Sequence, residues 1–370
     1  MKRIFALLLV LCIFLCACGK EEENEDSTTE VVASEVIEES SVAVVEESSV
    51  AEESSSEIIE EEENVIRHPL TGEVLEEPWK GTAAAITINN SPDALPHYGI
   101  SQADIFYEIE TEGGITRMFA IYTDLEKVGS IGPVRSARTY FNNVAASYNA
   151  PIFHCSGNEF SANGHYDMEG NIVPDWKHVD EIVNSQYFFR DSDRYNYQGY
   201  AWEHTLFTTG EDMAKALDDK GFDKGEEISY GLSFDEKPEF EGDSASEVVV
   251  TFKGGKTYTM TYNVDTGMYE GAEYGSEHID AGTGEVMSYR NVFALYTTQY
   301  AGIYGLSFYD LIGSGEGHFA CDGKIIPIKW SRESIYEPFV YTMEDGTPLT
   351  LGVGNSYIGI VSDTRTVEYN

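Results

Sequence analysis

Between Lys20 and Asn64 the chain carries 18 Asp and Glu, one Lys and no aromatic residue, with Ser, Thr and Val spread among the acids. Such a run has too little apolar surface to offset the entropy of ordering it, and its like charges repel. It reads as a disordered, self-repelling tether that spans about 150 Å when extended at about 3.4 Å per residue. Any core must therefore come from residues 65–370, which are long enough for two. Setting aside the 18 acids and three bases of residues 1–64 leaves 47 Asp and Glu against 20 Lys and Arg, a net charge near −27. That balance excludes a nucleic-acid partner, which needs a basic footprint, and disfavours close adsorption to anionic lipid.

The N-terminus points to export. "MKR" is a positive leader and "IFALLLVLCIFL" an apolar run too short for a comfortable membrane span, so residues 1–17 read as a signal peptide. Leu15-Cys16-Ala17 before Cys18 resembles a bacterial lipobox. That resemblance implies a diacylglycerol thioether on Cys18 and a bilayer partner on the extracytoplasmic face of a bacterial cell membrane. An ordinary cleaved signal and an uncleaved anchor are the alternatives. Each buried methylene of such an anchor contributes about 0.8 kcal/mol. Of the five cysteines, only Cys155 and Cys321 fall beyond this region. Their spacing leaves a disulfide between them open.

Residues 82–90, 103–110 and 115–123 read as buried or alternating strands, with Gly113-Gly114 turning the second into an antiparallel third. Residues 137–149 read as an amphipathic helix with Ser136 as N-cap, 151–157 as another strand, and 209–221 as a helix capped by Thr209 and ended by Gly221. Beyond residue 240 short strands alternate with Gly-rich turns. The fold class is therefore α+β: a mixed α/β domain with an antiparallel sheet and helices at 65–225, a linker at 226–244, and a mainly β domain at 245–370. The lipidated cysteine and tether occupy 18–64.

"HPLTG" (68–72), "INNSPDALPHYGISQADIFYE" (88–108), "EGGITRMFAIY" (112–122) and "IGPVRSAR" (131–138) together resemble the signature of YerB-like bacterial lipoproteins. "EHTLFTT" (203–209) resembles a diverged second block of that family. It keeps His204, Leu206 and Thr208, but Glu203, Thr205 and Phe207 stand where Pro, Asn and Tyr are usual. Residues 315–361 resemble the family's C-terminal domain. The resemblance implies location and architecture. It implies no reaction, since both halves are domains of unknown function.

Candidate chemistry centres on Arg117, Arg135 and Arg138. Arg135 and Arg138, three apart at the expected start of a helix, read as one side of its first turn. A helix N-terminus already carries partial positive charge, so two guanidiniums there call for an anion. The anion is either a ligand, such as a cell-wall or peptide carboxylate, or one of the chain's own acids. Asn89 and Asn90, at the end of the first strand, join this ligand-binding set. Glu108 and Glu112 with His154 or His204 are the candidates for general acid–base catalysis. No GxSxG elbow, HExxH motif, EF-hand or phosphate loop is present, and Glu159, His165, Asp167 and His178 form no recognised metal motif. No metal or cofactor is expected. Three functions remain open: an anion-binding or scaffold module at the envelope, an envelope hydrolase or transferase, and a structural interaction protein whose arginines are internal salt bridges.

Overall fold

Three strands that read as apolar in the sequence, β1 (Ala84–Asn90), β2 (Ile105–Glu110) and β3 (Thr116–Tyr122), are buried along their whole length. Their alternation therefore distributes side chains between two cores rather than between core and water. They belong to an 11-stranded sheet. Its other members begin with β4 (Ile152–His154), β5 (His178–Asp180) and β6 (Asp243–Ser244). A meander of β7 (Glu247–Thr251), β8 (Thr257–Asn263) and β9 (Met268–Glu273) intervenes. Then come β10 (Asn291–Thr297), β11 (Gly313–Cys321), β12 (Lys324–Arg332), β13 (Val340–Met343) and β14 (Ser356–Ser362). The spatial order is β6-β12-β11-β10-β14-β2-β3-β1-β4-β5, with β13 also on β12.

The computed structural model describes residues 65–370 except 158–159, 162–163, 167–171, 174–176, 223–224, 226–228 and 303–305, and no side chain between 158 and 176. The signal segment, Cys18 and the acidic tether lie outside the described residues, as do the side chains of Glu159, His165 and Asp167.

One core holds Ile86, Ile88, Phe106, Met118 and Ala120 against Val248, Val250, Tyr258, Met260 and Tyr269 of the meander. The other holds Ala85, Tyr107, Ile109, Phe119 and Ile121 against Tyr140, Phe141 and Val144 of α1 (Thr139–Ser147) and its C-cap Tyr148. Tyr258 stacks on Tyr357 of β14 at 5.1 Å, a geometry that contributes about 0.5–1.5 kcal/mol beyond area burial. Beside α1, the described residues contain only two further α-helices, α2 (Ser192–Asn196) and α3 (Gly210–Asp219). The architecture is thus mainly β, and the α+β expectation for the N-terminal half narrows to these helices on a large sheet.

The expected hairpin is present. β2 and β3 pair from Ile105↔Ile121 to Glu110↔Thr116, and Gly113 and Gly114 adopt φ of 79° and 77°. Gly114 also packs against the β7–β8 turn, where a Cβ on Gly254 would lie 2.4 Å from the Gly114 Cα. α3 starts as expected, with the Thr209 hydroxyl accepting from the Asp212 amide at 3.0 Å. It ends in a Schellman pattern: Phe222 N–H reaches Leu217 O, Gly221 N–H reaches Asp218 O, and Gly221 has φ 65°. Thr209→Ala is expected to cost about 1 kcal/mol, read as a lower urea midpoint at unchanged slope.

The helix expected at 137–149 begins only at Thr139. Before it, the amides of Val134, Arg135 and Ala137 bond to Leu206 O, Thr87 O and Ser156 O, which holds the segment extended. Arg138 (φ −134°, ψ 158°), not Ser136, takes the N-cap position. Within the stretch read as a linker, Ser233–Asp235 runs parallel to Thr350–Gly352, and β6 pairs with β12.

Candidate functional site

Side-chain parity on β1 and β3 separates the predicted residues onto opposite faces of the sheet. Asn89 and Arg117 share the α1 face with Phe119, whereas Asn90, Glu108 and Thr116 share the meander face with Phe106 and Met118.

On the α1 face, Arg138 is closed by the chain itself. Its Nε donates to both oxygens of Glu112 at 3.1 Å, and its Nη2 donates to Oε2 at 2.7 Å. Burial alone would raise the Glu112 carboxyl, but Arg138 holds it below the ordinary carboxylate range. Arg135, extended rather than helical, pairs with Glu203 at 3.0 Å near the surface. The two arginines therefore do not share a helical turn, and the chain's own acids meet both. Arg117 differs. It is 6% exposed, its Nη1 donates to Ser136 O at 2.6 Å, its Nε has no hydrogen-bond partner, and no carboxylate among the described residues lies within ion-pair distance. Burial, with Arg138 and Arg135 nearby, pulls its pKa down to about 10. Asn89 bonds His204 Nδ1 at 2.9 Å, and burial lowers the His204 pKa.

On the meander face lies a buried polar network that the sequence did not announce. Glu108 Oε1 accepts from Thr116 Oγ1 at 2.5 Å, from Asn90 Nδ2 at 3.0 Å and from Lys256 Nζ, while Oε2 accepts from Tyr357 at 2.9 Å. Lys256 also lies 3.0 Å from Glu273 Oε2. Beyond Glu273 sit His278 and His97, whose ring nitrogens approach within 2.9 Å of each other. Tyr258 contacts His278 Nδ1 at 2.8 Å and Tyr289 at 3.1 Å. A Cβ on Gly271 would fall 2.2 Å from the Tyr258 hydroxyl, so glycine there makes room for that contact. Burial lowers the pKa of both histidines. Glu273 stays ionised despite its burial because His278, Lys256 and His97 favour the anion.

The proposed Glu/His acid–base pairs do not assemble. Glu108 is fully buried on the meander face. Glu112 is held by Arg138, and His204 is bonded to Asn89. His154 is fully buried and contacts His178 at 3.2 Å and Ser156 O at 3.0 Å. Neighbouring Cys155 instead faces Glu181 at 3.4 Å, and burial pushes its thiol up to about 11, which favours the thiol over the thiolate near neutral pH. Cys155 and Cys321 are both free thiols. A surface pocket of about 700 Å³ lined by His68, Glu73, Trp79, Asp104 and Lys127 includes none of the three arginines.

Residues 70–223 match the family described as "Protein of unknown function (DUF3048) N-terminal domain", and residues 248–358 match its C-terminal domain. The chain belongs to the YerB-like DUF3048 family. A Bacillus subtilis (strain 168) protein named "Putative lipoprotein YerB" is 26% identical over 305 residues, covering 80% of this chain and 87% of that protein. The crystal structure of YerB from Bacillus subtilis is similar with a TM-score of 0.67, over 82% of this chain and 99% of that one, at 23% identity, a likeness of fold. In this DUF3048 protein β2 belongs to the first matched region and β10 to the second. Through β14, which lies between them, both regions contribute strands to one sheet.

Proposed function

We propose that this DUF3048 protein is a lipid-anchored module on the extracytoplasmic face of a bacterial membrane that binds an anionic group at Arg117, with Arg135 nearby. The N-terminal export pattern and Cys18 support the anchor, and so does the word lipoprotein in the name of the Bacillus subtilis relative. Among the described residues no helix is long and apolar enough to cross a membrane. The observation that carries the binding reading is the state of Arg117. A nearly buried guanidinium retains an unbonded N–H and has no carboxylate within ion-pair distance among the described residues, in a chain with a large excess of acid. A buried charge is ordinarily paired, and a planar fork suits a carboxylate or phosphate. Arg135, whose pairing with Glu203 is partly exposed, offers the incoming anion a second guanidinium.

The test is thermal melting of the full chain with phosphate, acetate and wall-derived peptides. The expected result is a concentration-dependent rise in Tm for at least one of these, lost in Arg117→Gln, with at least tenfold weaker binding in Arg135→Gln. Equal shifts in parent and both variants would sink the reading, as would no shift with any of the three classes.

A further inference from the structure

We infer that His97, Glu273 and His278 form a metal site for a divalent first-row ion, with Zn²⁺ the best fit. His97 Nδ1, His278 Nε2 and Glu273 Oε1 are separated by 2.9, 3.4 and 3.9 Å. A point equidistant from the three lies about 2.0 Å from each, the length of Zn–N and Zn–O bonds. Both imidazoles are oriented from behind. His97 Nε2 lies 2.7 Å from Asn89 O, and because a carbonyl only accepts, that nitrogen carries the proton and Nδ1 keeps its lone pair. His278 Nδ1 meets the Tyr258 hydroxyl at 2.8 Å, leaving Nε2 to face the centre. Outer-shell partners of this kind fix the ring and tautomer of metal-bound histidines. Lys256 engages Glu273 through Oε2, so Oε1 is the oxygen turned to the histidines.

A second observation points to a missing cation. Glu273 is 4% exposed and neither of its carboxylate oxygens accepts a hydrogen bond, Oε2 having only the Lys256 ion pair at 3.0 Å. Without a metal, the 2.9 Å contact requires one histidine to donate to the other, and this still leaves Glu273 Oε1 without a donor. Two buried carboxylates, Glu108 and Glu273, share the Lys256 ammonium. Two imidazoles and a carboxylate are a donor set that zinc accepts, with a fourth position left for another ligand. His97 and His278 are 181 residues apart, so no spacing motif could reveal them.

The experiment uses the full chain. Its metal content is measured as purified, and again after refolding with Zn²⁺ or Co²⁺ followed by removal of loose ions. One tightly held metal per chain in either preparation is expected. The Co²⁺ form should show the intense visible bands of low-coordinate cobalt, which ions scattered over surface carboxylates do not give. His97→Gln and Glu273→Gln should each weaken retention at least 100-fold. Tyr258→Phe, which removes the hydroxyl that orients His278 and meets Tyr289 but no proposed ligand, should weaken it about 10- to 100-fold. His278→Cys should retain the metal and add a sulfur-to-cobalt charge-transfer band, which keeps the test decisive if the glutamine variants fold poorly. The inference is overturned by absence of stoichiometric metal in both preparations, or by His278→Cys giving the parent's cobalt spectrum.

Discussion

Lys256→Met in chelator-treated protein is expected to lower the free energy of unfolding by about 3–5 kcal/mol, the cost of removing one partner from a buried ion pair. The lysine side chain is 6% exposed, and the Glu108 and Glu273 side chains it joins are 0% and 2% exposed. Its removal leaves two carboxylates in a site without water access. Glu108 retains Thr116, Asn90 and Tyr357 as donors, whereas Glu273 Oε1 has none. The larger part of the loss therefore comes from Glu273. The double variant Lys256→Met/Glu273→Gln should recover more stability than Lys256→Met/Glu108→Gln. Urea unfolding of the four proteins measures this directly. A loss below about 1 kcal/mol for the single variant would mean that the site is wet or its carboxylates are uncharged.

The second large effect concerns acid. His154 is buried and neutral, its pKa pulled down to about 4 by desolvation, against the pull of Asp180 and the Ser156 carbonyl. Its folded value lies below the unfolded 6.5. Its contribution is therefore complete above pH 6.5 and lost as pH falls toward 4, to a limit of about 3 kcal/mol. Asp104 behaves in the opposite sense. Burial raises it to about 6 although Thr123 donates to it through N–H at 2.6 Å and Oγ1 at 2.7 Å, and Glu73 and Asp124 push the same way as burial. Its contribution is complete below pH 3.8 and lost as pH rises through 6, again about 3 kcal/mol. Between pH 4 and 6 the two offset each other. Asp104→Asn should therefore expose the histidine's dependence, with stability falling more steeply than in the parent from pH 6.5 to 4. His154→Gln should do the reverse. Unfolding free energies at pH 6.5, 5 and 4 for the three proteins decide it, and parallel profiles would refute both assignments.

The elements that were legible are those set by local chemistry. β1 to β3, the glycine turn between β2 and β3, and α3 with its Thr209 cap and Gly221 stop all follow from short patterns. The start of α1 was misplaced because strand-like bonds to Thr87 and Ser156 override helix propensity at 135–137. β5 was missed because three residues flanked by polar neighbours carry no periodicity. At the arginines, the demand for negative charge was readable, but not which residue would meet it. Glu112, a candidate catalyst by sequence, neutralises Arg138, and Arg117 has no carboxylate within ion-pair distance among the described residues. The meander-face network was reached only through Glu108 and Asn90. Lys256 lies 148 residues beyond Glu108, and Tyr357 lies 249 beyond it.

The position of β14 bears on how the chain becomes a protein. It runs parallel to β10 on one side and β2 on the other, yet it is synthesised after both. Until Ser356–Ser362 arrives, the outer edge of β2 presents unmatched peptide groups and the N-terminal half is an incomplete sheet, a template for sticking to other chains. A chain interrupted before residue 356 is thus left with an open seam through its middle rather than a shortened tail, and premature termination there is expected to yield aggregates instead of a working half.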